Sequence, residues 1–198
     1  MSARYLLATT NQGKVREMLG LLAGLPVELV GLEAFPGLEP PEETGTTFAE
    51  NARLKALAYA AATGLPAIAD DSGLEIDAMG GAPGVESARF GGDALSYPER
   101  FTLIRRALAA AGLDTSPARF VCVVALARDG SVAFEARGVV EGRIAPAPAG
   151  GGGFGYDPIF FYPPLGKTLA EVAQAEKDAV SHRGAAFRQL RRYLEGWT

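Results

Sequence analysis

Two adjacent carboxylates, Asp70 and Asp71, close a short apolar run, Ala67-Ile68-Ala69, that is entered through Pro66. An apolar run of this length bounded by Pro and Gly predicts a buried strand. In an open α/β sheet, ligands lie beyond the carboxyl ends of the strands, so both carboxylates are expected to emerge at a ligand site. Successive strand side chains point to opposite faces, so only one of the two faces a given cleft. Such a pair can hold a divalent cation, or one Asp can act as a general base. Asp71-Ser72-Gly73 is also ordinary turn chemistry, and taken alone the turn is the commoner reading.

The cations carry a second signal. Arginine outnumbers lysine 15 to 4, and the lysines are Lys14, Lys55, Lys167 and Lys177. A compact ammonium suits a phosphate as a point charge. Lys14 ends the polar loop Thr9-Thr10-Asn11-Gln12-Gly13-Lys14, which lies between a predicted strand and a helical pattern from Val15 to Leu22. A strand, a Gly-containing loop and a helix start present backbone N–H groups and a positive dipole end to an anion. The dipole disfavours a cation there, so Lys14 is easier to explain if it meets a phosphate. The loop lacks the first Gly of a Walker A motif, and Val15 stands where Ser or Thr would hold Mg²⁺. A plain strand-to-helix turn is the alternative.

Three further groups deserve weighing. Glu42-Glu43, in a loop rich in Pro, Gly and Glu, can reach a metal, although such pairs are more often solvated surface charge. Gly150, Gly152 and Gly155 formally match a dinucleotide fingerprint, but the match leads into Asp157-Pro158 and an extended run, not a helix. Phe154-Gly155-Tyr156-Asp157 instead suits close backbone approach to a flat ring, or a glycine-rich lid without contacts. His182, the one histidine, stands between Ser181 and Arg183 at a predicted helix start, where a neutral imidazole is favoured.

The elements that must position these groups follow from pattern. Strands are expected at Arg4–Ala8, Val27–Leu32 and the run through Ala69, with Leu74–Met79 as a separate half-exposed strand. Capping boxes at Thr47–Glu50, Ser96–Glu99 and Thr168–Glu171 mark N-termini. On the helix after Thr47, Asn51 and Lys55 share one side. Asp129-Gly130 joins two long alternating runs as a hairpin. The fold class is therefore α/β with a mixed sheet, and the 198 residues suit a single domain, 1–198.

Composition narrows the function classes. Hydrophobic residues are 48% and charged residues 21%, as in an ordinary globular protein. A net charge of −4 argues against a nucleic-acid surface. No apolar run reaches the roughly 20 residues of a membrane span. The N-terminus carries no signal-peptide pattern. Cys122 is a buried thiol by context, and one cysteine allows no intrachain disulfide, so a cytoplasmic location is expected.

Taken together, Thr9–Lys14, Thr47-Phe-x-Glu-Asn51, Ala69-Asp-Asp-Ser-Gly-Leu74, Gly80-Gly-Ala-Pro-Gly-Val-x-Ser-Ala-Arg-Phe90, Gly153-Phe-Gly-Tyr-Asp-Pro158 and Ala175-Glu-Lys-x-Ala-x-Ser-His-Arg183 resemble the inosine/xanthosine triphosphate pyrophosphatase (RdgB-like) family over nearly the whole chain. Thr10 departs from the Gly or Ser that the family often has there. The resemblance implies hydrolysis of ITP, dITP and XTP to monophosphate and pyrophosphate, with Mg²⁺, a homodimer, and an elongated mixed sheet with helical flanks forming two lobes around a central cleft. It implies Asp71 as general base and metal-linked carboxylate, and Glu42, or its neighbour Glu43, as a second metal contact. It implies Thr9, Thr10, Asn11, Gln12, Gly13, Lys14 and Lys177 on the phosphate side. Ser72, Phe154, Gly155, Tyr156, Asp157, His182 and Arg183 would contact nucleotide and base. Other readings are a Maf-type pyrophosphatase, which the Phe-Gly-Tyr-Asp and Ser-His-Arg segments oppose, and a non-catalytic nucleotide sensor.

Overall fold

The structure, a computed structural model, describes residues 3–196. Seven strands form one mixed sheet: β1 (Ala3–Leu7), β2 (Val27–Gly31), β3 (Ala67–Ile76), β4 (Pro117–Arg128), β5 (Ser131–Ile144), β6 (Phe160–Tyr162) and β7 (Lys167–Thr168), in the order β2-β1-β3-β4-β5-β6-β7. β1 runs parallel to β2 and β3, while β5–β6 and β6–β7 are antiparallel, as the mixed-sheet reading requires. Five helices accompany the sheet: α1 (Gln12–Leu21), α2 (Phe48–Thr63), α3 (Tyr97–Ala110), α4 (Gln174–Val180) and α5 (His182–Glu195).

The chain divides into two compact units, one of residues 1–71, 122–138 and 182–198, the other of 72–121 and 139–181. The first has a core of Leu7, Met18, Leu22, Ile68, Val124, Phe187 and Leu190, among others, drawn from β1, α1, β3, β4 and α5. The second is built on Leu74, Ile76, Ile104, Phe120, Ile144, Tyr156 and Phe160 with their neighbours.

Local signals account for most boundaries. Asp129 and Gly130 both have positive φ, 52° and 73°, the conformation of a two-residue hairpin turn between β4 and β5. The box at Thr47 is complete: its hydroxyl accepts from Glu50 N at 3.2 Å, and Glu50 Oε2 accepts from Thr47 N at 3.0 Å. Gly64, with φ 69°, ends α2. The box at Thr168 opens only a single 3₁₀ turn, Leu169–Glu171. α1 begins at Gln12, not Val15, because Asn11 caps it, accepting from Gly13 N at 2.9 Å and Lys14 N at 3.2 Å.

The largest departure from expectation lies in β3. The strand does not stop at the carboxylates; it runs through Asp70, Asp71, Ser72 and Gly73 to Ile76 as one element. The two strands expected on either side of Asp71-Ser72-Gly73 are a single strand. β3 lies between β1 and β4, so a turn at Asp-Ser-Gly would strip its backbone groups of partners, and that cost overrides the local turn preference.

The Thr47 box yields a measurable expectation. Thr47→Ala should lower unfolding free energy by about 1 kcal/mol in urea denaturation. The backbone N–H of Thr46, helped by its hydroxyl and by Thr47, holds the Glu50 carboxyl below its usual range. A depressed folded-state value means that the stabilisation is present above the unfolded carboxyl range and lost as pH falls through the folded one. The stability gap between the parent protein and Glu50→Gln should therefore shrink on acidification. A gap that widened at low pH would contradict the assignment.

Candidate functional site

β1 is shorter than β3. Leu7 pairs with Ile68, and continuing that register brings Thr9 level with Asp70. The loop after β1 thus leaves the sheet beside the middle of β3, where the two carboxylates project to opposite faces. What meets each carboxylate differs.

On one face Asp70 is buried and receives three donors on Oδ2: Arg183 Nη2 at 3.0 Å, Lys14 Nζ at 3.1 Å and the Cys122 thiol at 3.7 Å. Arg183 also gives Nη1 to Glu17 at 2.6 Å, and both of its partners are buried. α1 supplies Lys14 and Glu17, and the first turn of α5 supplies Arg183, so two helix N-terminal turns converge on one strand residue. Burial alone would favour the neutral acid, but Lys14, Arg183 and Lys55 outweigh it and hold the Asp70 carboxyl well below the usual range. Burial, reinforced by that carboxylate, pushes the Cys122 thiol up, in keeping with an inert core residue. Oδ1 of Asp70 is buried without a hydrogen-bond partner.

On the other face Asp71 meets α2. Lys55 Nζ lies 2.9 Å from Asp71 Oδ1 and 3.0 Å from Glu43 Oε1. Asn51 Nδ2 reaches Asp71 Oδ2 at a long 3.5 Å, while its amide oxygen accepts from Gly45 N at 2.8 Å. The spacing of Asn51 and Lys55 along α2 therefore serves one purpose, to bring an amide and an ammonium to the same carboxylate. Burial raises the Asp71 carboxyl, and Glu43 adds to the effect against the opposing pull of Lys55 and Lys14. Lys55 stays protonated: burial works against its charge, but Asp71, Asp70 and Glu43 outweigh it.

Several sequence expectations change here. Glu43, not Glu42, is the acidic-loop residue brought to Lys55, and Glu42 is exposed. Gln12, Gly13 and Lys14 belong to α1, and the N–H groups of Gly13 and Lys14 are already taken by Asn11, not presented to an anion. Thr9 and Asn11 form the loop turn, with Asn11 N donating to Thr9 Oγ1 at 3.2 Å; Thr10 is exposed. His182 is buried at the first position of α5.

The second unit holds a separate cluster. Asp157 Oδ2 accepts from Phe154 N at 2.8 Å and from Lys177 Nζ at 2.6 Å, and the same ammonium stands 4.8 Å from the centre of the Phe154 ring. Asp157 and Lys177 are buried, whereas Phe154 is half-buried. Gly153, at φ 68°, could carry no side chain, because a Cβ would lie 2.1 Å from Asp157 Oδ2. Gly152 N donates to Ala170 O at 2.9 Å, so the glycine run is pinned at that point and is not a lid without contacts. Tyr156 is a core residue whose hydroxyl donates to Ser87 O at 2.8 Å and whose ring meets Tyr97 edge-on at 5.2 Å. Gly155 supplies positive φ beside it, and Ser72 is half-buried in β3. Lys177 was expected on the phosphate side; here its charge is committed to Asp157 and the Phe154 face.

Lys55, Asn51 and Glu17 join Asp70, Asp71 and Glu43 in these contacts, and sequence reasoning assigned none of the first three a role of its own. For Lys55 the signal existed, since it is one of only four lysines and stands four residues after Asn51.

A model of the Ham1 family matches residues 5–193. A dITP/XTP pyrophosphatase of Gloeobacter violaceus is 52% identical over 93% of this chain and 91% of its own length. One from Thermus thermophilus is 51% identical, over 94% and 89%. The solved structure of a HAM1 protein from Coxiella burnetii superposes with a TM-score of 0.90 at 43% identity, covering 98% of this chain and 99% of that one.

The Asp157–Lys177 pair gives a direct expectation. Lys177→Met leaves the buried Asp157 carboxylate without its ammonium and should cost about 3–5 kcal/mol of stability. Adding Asp157→Asn should recover much of that loss, as a double-mutant cycle in urea would show. Simple additivity of the two losses would mean that the pair is not coupled.

Proposed function

The chain belongs to the Ham1 family, and from that premise we propose that it hydrolyses non-standard purine nucleoside triphosphates, ITP, dITP and XTP, to monophosphate and pyrophosphate. The observation that carries the reading is Asp71: a buried carboxylate whose proton affinity is raised, held by Lys55 on one oxygen and only loosely engaged by Asn51 on the other. Raising a carboxyl toward the working pH is how an acid becomes an effective base.

A divalent cation belongs to this reading. Asp71 and Glu43 offer hard oxygen donors on one ammonium, and Mg²⁺ characteristically takes one or two carboxylates with phosphate and water completing its shell. Among the described residues no group of three or more His, Cys, Asp or Glu is arranged to hold a metal, which fits an ion that shares its ligands with the substrate. The residues fit the group, and when bound it would neutralise triphosphate charge and polarise the bond to be broken.

The protein's own residues supply the rest. Asp71 Oδ2 takes the proton of the attacking water. In the nucleotide-free protein Lys55 holds Oδ1 while Asn51 engages Oδ2 only loosely, which leaves Oδ2 the more available basic atom. Lys14, 15% exposed at its side chain and acting electrostatically on both Asp70 and Asp71, meets the charge that builds on the departing pyrophosphate. Asp70 holds Lys14 in place. The 6-oxo group of hypoxanthine or xanthine accepts hydrogen bonds where adenine donates, so a site of donors rejects adenine. His182 and Arg183, at the start of α5, are the proposed donors. As a homodimer in the cytoplasm, such an enzyme would clear the nucleotide pool.

Pyrophosphate release from ITP, XTP, GTP and ATP, with and without Mg²⁺, tests the proposal. ITP or XTP should exceed ATP in kcat/KM by about a hundredfold or more, since two unsatisfied donors cost about 1–3 kcal/mol each. Asp71→Asn should lower turnover by about 10²–10⁴ and leave the fold unchanged. Normal turnover in that variant would remove Asp71 from the mechanism, and release of orthophosphate alone would remove the reaction.

Arg183 requires its own variant. Arg183→Ala would leave Asp70 and Glu17 buried without their shared cation, at a cost of about 3–5 kcal/mol. Arg183→Lys keeps a charge but loses the planar fork. The ITP-to-ATP ratio of kcat/KM should narrow in Arg183→Lys; an unchanged ratio would assign base selection elsewhere.

A further inference from the structure

Lys55 occupies the space between the two carboxylates that the proposed reaction gives to a divalent cation. Its ammonium is 2.9 Å from Asp71 and 3.0 Å from Glu43, and its side chain is 11% exposed. The acidic loop reaches it because Asn51, one turn earlier on α2, accepts from Gly45 N at 2.8 Å and donates to Gly45 O at 3.3 Å. A Cβ at Gly45 would lie 2.6 Å from Asn51 Oδ1, so the loop comes as close to α2 as a glycine permits. Loop, helix and strand are thus gathered on a cation of the protein's own.

A free divalent ion entering here meets that ammonium at contact range. Like charges at such a distance repel strongly in a site with little water. The protein also supplies few ligands of its own, since Mg²⁺ seeks a near-octahedral oxygen shell and the described residues bring no third acidic or histidine side chain to it. A triphosphate changes both conditions: its oxygens complete the shell, and its charge gives the ammonium another partner. We propose that Lys55 is a resident competitor for the divalent cation, so that the nucleotide-free protein binds the free ion weakly and the ion enters together with the triphosphate. The inference rests on the pyrophosphatase reading but concerns the order of binding, not the chemistry.

Manganese(II) binding, followed by the electron paramagnetic resonance of the free ion, tests it without turnover. The full-length protein should bind Mn²⁺ weakly alone and at least about tenfold more tightly with an α,β-methylene analogue of ITP. Lys55→Met should gain about tenfold or more in affinity for Mn²⁺ alone, while Lys55→Arg, which keeps the charge, should stay close to the parent. If Lys55→Met folds poorly without metal, a melting temperature raised by Mn²⁺ in the variant and not in the parent supports the same conclusion. Mn²⁺ affinity in Lys55→Met no higher than in the parent, or parent affinity equal with and without the analogue, overturns it. Pyrophosphate release from ITP by the parent is assayed separately: its absence would sink the proposed function, while the binding titrations would still report on Lys55.

Discussion

Two buried carboxylates in the middle of a central strand are the constraint on which the first unit depends. Taking a carboxylate out of water costs several kcal/mol unless cations and donors surround it. Asp70 and Asp71 are 1% and 6% exposed, so each must be met, and alternation along β3 means that they must be met from opposite faces. α1 and α5 answer on one face with Lys14 and Arg183, and α2 answers on the other with Asn51 and Lys55. The helices are therefore positioned by charge as well as by the apolar core they share. An element displaced from this arrangement would leave a buried charge behind, which makes the arrangement all-or-none.

The second unit uses the same device on a smaller scale. Asp157 gathers the Phe154 amide and the Lys177 ammonium on one oxygen, and Gly153 is there because the carboxylate approaches too closely for a side chain. Glycines usually lower rigidity through backbone entropy. In this segment they do the reverse, because their lack of a Cβ lets backbone and carboxylate close on one another. The Phe154 ring is consequently carried on a turn that Asp157 ties to the Lys177 ammonium of α4.

What could be read from the sequence divides along the range of the interactions. The capping boxes, the Asp129-Gly130 hairpin and the start of α5 are set by neighbours within four residues, and all are where pattern places them. The run through Asp71-Ser72-Gly73 was misleading for the opposite reason. Its local chemistry says turn, and only its neighbours β1 and β4, with cations from residues 14, 55 and 183, make a strand of it. β1, by contrast, ends at Leu7 opposite Ile68, two residues short of the carboxylates that β3 carries onward. Glu43 could not be told from Glu42, because the choice depends on how Asn51 holds Gly45. Lys177 stood out by its rarity, while its partner, twenty residues away, is a matter of tertiary structure.

The rarity of lysine then acquires a physical meaning. Of the four lysines, Lys14, Lys55 and Lys177 each contact a buried aspartate, Asp70, Asp71 and Asp157 respectively, and Lys167 is exposed. Arginine, the default cation of this chain, presents a planar fork that suits two acceptors side by side, as Arg183 does between Glu17 and Asp70. An ammonium is a compact point charge whose donors rotate, so it can sit between oxygens from unrelated segments, as Lys55 does between a loop and a strand. It can also change partners with a small movement of a flexible stem, whereas a fork held at both ends cannot. If nucleotide and metal are to displace one ion pair in favour of another, lysine is the residue that permits the exchange. Arginine at position 183 answers a different need, because its fork meets Glu17 and Asp70 at once and so keeps its place while a lysine elsewhere changes partner.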